Sequence, residues 1–517
     1  MQKDLGNRTR AATKNMFWGI VSKVVSLILS FGSRTIFIHY LGKEMLGVNS
    51  LYTEVLSMLS LAELGFGTAF TFSMYKPIAD RDDERIRQLL GLFKFVYHII
   101  AVVVLVLGLI LTPFLQYIVK GADSLNIQQL RLYFVLFLLN TVINYLVQYK
   151  TTFVNACMQS YVVSNIEMIT NTAVLVSQCI IVIIFKNYFL YLLINTVMLI
   201  FSRFAIALYL NVKYPILNQK PKENLPKSER KKIYKDVKGL ALQNFAGVAI
   251  HSTDNLIISM VSGLGVIGVG LVSNYNTLIT SVTGFITIVL GALTPGFGNL
   301  VASSSQQRYR ECFEEVNFYD FWIYGFCSIA FFVLIPPFIV LWIGEEYLID
   351  TIPFLLIVMN VYLLGQSVIY NNARIAKGNY NLDKWISVAQ ALINLVVSIV
   401  AAKILGLTGV YIGTIVSRLF YVVARPARTY RFLYGCSVLE YFKNSIMFLL
   451  ATIFAGSVTY LMSLRVFVDG ISVFTFIIAC IIVAIIPNLT FLLLFYKTQY
   501  IKLFVKRLSS IVRRKNG

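Results

Sequence analysis

Ionisable side chains are scarce in the long apolar stretches of this sequence, and the few present are of types that bind anions or exchange protons. Lys23 and Arg34 share one stretch, and His251 and Asp254 lie in another, "GVAIHSTDNLIISMVSGLGVIGVG", residues 247 to 270. A cation attracts phosphate, whereas an acid and an imidazole can each carry a proton. In lipid each charge would cost about 2.5–3.5 kcal/mol, so these side chains should face protein or water.

Helical periodicity groups further polar side chains into stripes. At about 100° per residue, Lys23 and Arg34 fall on one helix face, within about 20° of each other. The other stripes are Glu63 with Asn49, Thr53 and Ser60; Asn144 with Asn140 and Gln148; Glu167 with Asn171 and Gln178; Asp254 with Asn244, His251 and Asn255; and Asn276 with Thr280, Thr283 and Thr287. Because polar groups that face lipid would lack partners, the stripes predict a wetted central cavity.

The elements that carry these residues are membrane helices. Of the 517 residues 57% are hydrophobic and 13% are charged, whereas soluble domains have about 25% charged residues. Unbroken apolar windows of about 20 residues predict an all-α polytopic membrane protein with about fourteen transmembrane helices. The approximate spans are 15–40, 46–74, 95–116, 131–153, 161–185, 188–211, 240–262, 267–294, 318–343, 351–373, 385–402, 408–424, 444–464 and 471–496.

The distribution of the basic residues predicts the orientation of the chain. The net charge is +21, but about 35 of the Lys and Arg residues fall in the termini and in every second loop. Both termini are therefore expected to be cytoplasmic. The basic surplus fits contact with membrane lipids, and we expect no nucleic-acid partner.

An internal repeat divides the chain into two halves. Gly42 and Gly47 match Gly263 and Gly268 at a shift of 221 residues, and Ser202-Arg203 recurs in the corresponding span as Ser417-Arg418. We predict an N-lobe of six helices (1–213), a basic cytoplasmic linker (214–238), a C-lobe of six helices (239–433), and a final helix pair with a basic tail (434–517). A parallel repeat of this kind predicts a substrate cavity between two lobes.

Each candidate residue also has a structural alternative. Lys23 and Arg34 could reach the membrane surface with their long side chains. Arg203 and Arg418 could pair with an acid or with carbonyls inside the helix packing, and Asp254 could be a hydrogen-bonded structural acid. His251 could be a satisfied core histidine, and Glu63 could neutralise an arginine of the cavity.

Motifs for covalent chemistry do not emerge from the sequence. The six cysteines are scattered without metal-ligand spacing, and neither a phosphate-binding loop nor a catalytic triad spacing stands out. We therefore expect a secondary transporter rather than an enzyme, with no metal and no cofactor.

Several segments resemble one known family. "SRTIFIHYLGKEMLGVNSLYTEVLSMLSLAELGFGTAFTFSMYKPIADRDDERI", "STDNLIIS", "VKYPIL" and "RPARTYRFLYG" are similar to segments of the Wzx-type oligosaccharide-lipid flippases of bacterial polysaccharide export. Their superfamily also contains the multidrug and toxic compound extrusion (MATE) transporters and the lipid II flippases. Arg425 stands where many relatives carry an acid before the proline.

The resemblance implies two six-helix bundles that work by alternating access in the bacterial cytoplasmic membrane. The substrate would be an undecaprenyl-diphosphate-linked oligosaccharide, moved to the outer leaflet for capsule, O-antigen or exopolysaccharide assembly. By similarity Lys23 and Arg34 would receive the diphosphate or acidic sugars, and Asp254 would couple transport to H+ or Na+. A polysaccharide polymerase is a further partner that the resemblance suggests.

The remaining cavity residues complete the candidate site. Arg203, Arg418, Asn144 and Asn276 are candidates for binding the diphosphate or the sugars, and His251 and Glu63 join Asp254 as candidates for the coupling ion.

Two other functions stay open from the sequence. A multidrug or cation antiporter of the same fold would favour a net acidic cavity, which the four cavity cations oppose. A membrane polysaccharide polymerase would require a sizeable outward loop with catalytic residues, and no outward loop is expected to exceed about 15 residues under the predicted orientation.

Overall fold

The chain folds into helices throughout the part that the structure describes. A computed structural model describes residues 2–63, 66–291, 305–376, 384–435 and 437–503, and the side chains of most of these, though not those of 2–17 and 238–251. Within these ranges there are α-helices, short 3-10 turns and loops, and no strand. The predicted all-α class is confirmed.

The α-helices are numbered in chain order over the described ranges. They are α1 (Gln2–Leu59), α2 (Phe66–Asp80), α3 (Asp83–Leu111), α4 (Leu115–Ile118), α5 (Ile127–Ala156), α6 (Ser160–Phe185), α7 (Tyr188–Lys213), α8 (Lys227–Met260), α9 (Gly265–Gly291), α10 (Gln306–Ile343), α11 (Thr351–Gly365), α12 (Val368–Ala376), α13 (Lys384–Tyr434), α14 (Leu439–Val466) and α15 (Val473–Phe495). The 3-10 turns are Ser60–Glu63, Thr112–Phe114, Pro215–Asn218 and Glu345–Tyr347.

Ten helical segments in the described ranges are long and apolar enough to cross a membrane. Two of them, in α1 and α13, run through a glycine with non-helical backbone, Gly42 and Gly406, that lies between two predicted spans. Large apolar side chains on the outer faces are open, for example Val212 at 82% and Ile404 at 77% exposure. Such surfaces are stable only against lipid, so the chain is a multi-pass membrane protein. The count of fourteen spans stays a prediction.

The second predicted span, 46–74, is not one helix. Helix α1 ends at Leu59, a 3-10 turn follows over Ser60–Glu63, and α2 begins at Phe66. The sequence here is "AELGFG", with two glycines, and glycine is the weakest helix former after proline. The interruption places Glu63 in a turn rather than on a continuous helix face.

The repeat is visible in the backbone of two matched glycines. Gly42 has a φ of +77° and Gly263 a φ of +82°, values that side chains with a Cβ rarely adopt. Gly42 lies at the kink of α1, and Gly263 lies between α8 and α9. The two glycines paired by the 221-residue shift thus share a positive φ after the first predicted span of each predicted half.

Two compact units make up the chain, residues 1–270 and 271–517. In the first unit α1 packs against α6 and α8, and α5 packs against α3 and α7. These helices approach closely at small residues; a Cβ on Gly108 of α3 would lie 2.4 Å from a methyl carbon of Leu138 of α5. The domain boundaries inferred from the polar insertion stay a prediction.

The second unit has an aromatic core that includes the last two helices. The rings of Phe321 in α10 and Phe448 in α14 stack with centroids 4.3 Å apart, and Phe491 and Phe495 of α15 pack beside them. All four rings are buried. Buried aromatic pairs of this kind add about 0.5–1.5 kcal/mol each beyond the area that they remove from solvent. Helices α14 and α15 are therefore an integral part of this unit.

We predict that Gly47→Ala destabilises the protein, whereas Gly32→Ala in the same helix does not. A Cβ on Gly47 would lie 1.8 Å from the backbone oxygen of Val266, and a Cβ on Gly32 would have no neighbour within 4 Å. Because the clash is with backbone, we expect a loss of about 1–3 kcal/mol for Gly47→Ala and a neutral or slightly stabilising effect for Gly32→Ala. Thermal unfolding in detergent, followed by tryptophan fluorescence, measures both. Equal unfolding midpoints for the two variants would contradict the close approach of α1 to Val266 of α9.

Candidate functional site

Two arginines inside the helix bundles each donate a hydrogen bond to an asparagine side chain. Arg203 of α7 donates from Nε to Asn144 Oδ1 of α5 at 2.7 Å, and Arg418 of α13 donates from Nε to Asn360 Oδ1 of α11 at 3.0 Å. Serine precedes each arginine and bonds back to a carbonyl of its own helix. The match between Ser202-Arg203 and Ser417-Arg418 therefore extends to their asparagine partners, and we call these the matched Arg–Asn pairs.

The surroundings of the matched Arg–Asn pairs differ in charge. Arg203 is half-buried and forms an ion pair with Glu167 of α6, with 3.3 Å between Nη1 and Oε1. Arg418 is only 4% exposed and lies 5.9 Å from the centre of the Tyr421 ring. An amide and a ring favour a guanidinium without cancelling its charge. The first pair is compensated by an acid, and the second has neutral groups at these two contacts.

A second buried arginine adjoins Arg418. Arg425, two helical turns further along α13, donates to Asn371 Oδ1 and Ser387 Oγ at 2.8 Å each and also to the Tyr421 hydroxyl. Its guanidinium lies over the same Tyr421 ring, 4.1 Å from the ring centre. Sequence reasoning treated Arg425 only as a departure from a motif. The seven-residue spacing from Arg418, which returns to the same helix face, was the signal for it.

The two cations at the start of the chain both lie on α1. The side chain of Lys23 is exposed, and that of Arg34 is half-buried, within electrostatic range of Tyr191 of α7. Asn276 is half-buried on α9, and its backbone oxygen accepts from the Thr280 hydroxyl. The roles of these three residues as substrate ligands stay predictions.

Residues close in sequence to Asp254, the predicted acid of α8, contact an acid that sequence reasoning missed. Asp254 of α8 is buried, and on either side of it Ser252 and Asn255 hydrogen-bond to Glu54 of α1, Ser252 Oγ at 3.0 Å from Glu54 Oε2. The side chain of His251 lies outside the described residues. Glu54 could have been found from the sequence, because it is an acid inside an apolar window. It was missed because it does not lie on the helix face that carries Asn49, Thr53 and Glu63.

Tyrosines, rather than an arginine, surround the third candidate for ion coupling. Glu63 is half-buried in its 3-10 turn, and its carboxylate lies against the hydroxyls of Tyr97 and Tyr145. None of the ion pairs found in the described residues includes Glu63. A carboxyl in this setting can gain or lose a proton without breaking a salt bridge.

Each unit also has a cavity of its own. The first unit has an open cavity of about 990 Å³ at the turn between α2 and α3 and the start of α8, with Lys76, Asp80, Glu84, Arg85 and Glu229 in its wall. The second unit has a groove of about 320 Å³ among α10, α11, α13 and α14. Its wall is apolar and includes Ile329, Phe332, Val358, Met359, Leu419 and Ile453.

Helices of membrane-spanning length with buried arginines held by amides define a polytopic membrane protein, and several solved structures share its fold. The lipid II flippase MurJ in its inward closed conformation matches with a TM-score of 0.65 and 12% identity, covering 93% of this chain and 99% of its own. An inward-facing MATE multidrug transporter matches with a TM-score of 0.62 and 16% identity over 77% and 92% of the two chains. The Vibrio cholerae MATE transporter VcmN in its bent form matches with a TM-score of 0.54 and 14% identity, covering 83% of this chain and 98% of its own.

The family follows from the sequence profile described as polysaccharide biosynthesis protein, which matches residues 12–301. The match covers more than half of the chain, so the protein belongs to this family. No curated protein matches the chain. The resemblance to Wzx-type flippases is confirmed at the level of the family, and the chain shares its fold with the MATE and lipid II flippase structures.

We predict that the two asparagines of the matched Arg–Asn pairs differ in their importance for stability. Asn360→Ala removes an acceptor from a guanidinium that is 4% exposed and should cost about 2 kcal/mol. Asn144→Ala should cost less, because Arg203 keeps Glu167 and more contact with solvent. Unfolding by SDS titration in mixed micelles gives both values, and an equal or reversed order would contradict this account.

Proposed function

We propose that the protein is a flippase that moves undecaprenyl-diphosphate-linked oligosaccharides from the cytoplasmic to the outer leaflet of the bacterial cytoplasmic membrane. The matched Arg–Asn pairs are the observation that carries this proposal. They place a cation and an amide together at corresponding positions of the two halves. Cations suit a diphosphate, and amides exchange hydrogen bonds with sugars.

The cost of moving the head group explains why such side chains are needed. A few sugars carry on the order of ten hydroxyls, and each costs about 2 kcal/mol or more to bury without a partner. The diphosphate adds charge to this barrier. Polar stripes that exchange hydrogen bonds with hydroxyls remove most of the cost without requiring one particular sugar sequence.

The polyprenyl chain needs no polar contact and can stay in lipid or lie in an apolar groove. The groove of the second unit has the required chemistry, since Phe332, Met359 and Leu419 line it. Such a groove and the buried arginines of α13 belong to the same unit. A lipid-linked anion has both of these parts in one molecule.

A multidrug or cation antiporter is the second candidate, because the fold is shared with MATE transporters. The buried arginines of the second unit argue against an antiporter of cations. Arg418 and Arg425 are both buried around Tyr421, and a cationic drug near them would be repelled. A membrane polymerase is a weaker candidate, because this fold is otherwise represented among the matches by flippases and transporters.

Alternating access between the two predicted lobes would carry the head group across. The membrane potential can drive it, at about 2.3 kcal/mol per charge per 100 mV, as can exchange of H+ or Na+. Asp254, His251 and Glu63 are the candidates from the sequence for this exchange. A polysaccharide polymerase would receive the product at the outer leaflet.

We predict that Arg34→Ala abolishes surface polysaccharide and leads to lipid-linked repeat units on the cytoplasmic side, because the diphosphate loses a cation. Arg34→Lys should retain part of the export. Arg465→Ala, which removes an exposed cation at the end of α14, is the matched control and should export normally. Labelling of spheroplasts with an impermeant sugar-binding lectin reports the leaflet. Normal export by a stably inserted Arg34→Ala protein would remove the proposed role of this residue.

A further inference from the structure

The most isolated acid in the described part of the chain is Asp320 of α10. It is 0% exposed, and neither carboxyl oxygen has a hydrogen-bond partner of good geometry among the described residues. The backbone amide of Ile369 in α12 is the polar group that approaches it. None of the ion pairs in the described ranges includes Asp320.

The groups that face Asp320 are neutral. The hydroxyls of Tyr324 on α10, Tyr362 on α11 and Tyr441 on α14 lie within electrostatic range of its carboxyl. On its own helix, Cys327 lies beyond Tyr324. On α12 the nearest charged residue is Arg374, which follows Ile369 by more than one helical turn and has contacts of its own.

Among the described residues, a carboxylate in this position would be buried without a counter-charge. Removing an ion from water without a partner is so costly that such a group takes up a proton instead. The neutral acid, in contrast, fits among tyrosine rings without needing a counter-charge. The packing therefore selects the protonated form.

One tyrosine within electrostatic range of this acid also contacts the surface of the unit. Tyr324, itself buried, is hydrogen-bonded to Thr287 of α9, and the side chain of Thr287 is exposed. Thr287 is the last member of the polar stripe that contains Asn276, Thr280 and Thr283. Tyr324 thus contacts the predicted wet face of α9 and lies within electrostatic range of Asp320.

We propose that the Asp320 carboxyl is a proton-binding site of the second unit, neutral in this conformation and able to release its proton only when water reaches it during transport. Release breaks the O–H bond of the carboxyl and gives the proton to water by way of the Tyr324 hydroxyl. Uptake is the reverse, so no other reactant is consumed. The role in transport rests on the proposed flippase function, whereas the protonation of Asp320 does not.

Asp320 differs from the coupling candidates found in the sequence. Asp254, His251 and Glu63 are in the first unit, and Asp320 is in the second. The predicted ninth span begins at residue 318, which placed Asp320 at a membrane edge. Helix α10 begins at Gln306, so Asp320 is about 21 Å along a continuous helix.

Infrared spectroscopy of the full-length protein in nanodiscs tests the protonation directly. The carbonyl stretch of a protonated carboxyl is separate from that of a carboxylate. At neutral pH the native protein should show a protonated-carboxyl band that Asp320→Asn removes. Glu315→Gln is the matched control, because Glu315 is buried on the same helix but accepts from the Tyr319 hydroxyl at 2.9 Å. An unchanged band in Asp320→Asn would overturn the proposal.

Two further variants keep the test decisive. Asp320→Asn is isosteric with the neutral acid and should fold; if it does not, Asp320→Glu should retain the band at a shifted frequency. Tyr324→Phe should retain the band but slow its shift on transfer to D2O, because the hydroxyl link to Thr287 is lost. Exchange as fast as in the native protein would overturn the proposed path.

Transport in proteoliposomes then tests the coupling. A pH gradient should stimulate flipping of a polyprenyl-diphosphate-linked oligosaccharide by the native protein and by Glu315→Gln, and this stimulation should be lost in Asp320→Asn. Full stimulation in Asp320→Asn would overturn the role in coupling. If the native protein moves no such lipid, the proposed flippase function is wrong, and the infrared band still decides whether Asp320 binds the proton.

Discussion

The cost of placing charge in an apolar environment governs this structure. The chain has 24 acidic and 45 basic residues among 517, and those inside the helix bundles are held in three different ways. Arg203 has an acid, Arg418 and Arg425 contact amides, hydroxyls and a ring, and Asp320 has neutral groups around it within the described ranges. Each arrangement keeps a side chain at a depth where lipid would exclude it.

These arrangements differ between the two units. The described contacts of Arg418 and Arg425 are with amides, hydroxyls and a ring, whereas Arg203 also contacts the carboxylate of Glu167. A neutral acid adds no charge until water reaches it. In the proposed function, anion binding and proton exchange would occur in the same unit, and a neutral Asp320 would leave the charge of the arginines unchanged.

The repeat shows how one helical plan supports different chemistry in each half. The turn glycines Gly42 and Gly263 share a backbone conformation, and Arg203 and Arg418 share an asparagine partner. Beyond these points the halves diverge, with Glu167 in one and the Tyr421 ring in the other. The aromatic core formed by α10, α14 and α15 is found in the second unit, where Phe321 and Phe448 stack. The shared elements fix the backbone, and the divergent ones set the local charge.

The sequence by itself determined the all-α membrane class and the family, because apolar length and helical phase are local properties that neighbouring helices do not alter. It also matched Arg203 with Arg418 as equivalent positions, because a repeated Ser-Arg pair is visible in the sequence alone. Only the tertiary structure decided the break after Leu59, the contact of Glu54 with Ser252, the cluster of Arg425 with Arg418, and the isolation of Asp320. Those features depend on which helices meet and on what each side chain contacts there, and helical phase gives a direction on one helix but not the identity of the neighbour that it faces.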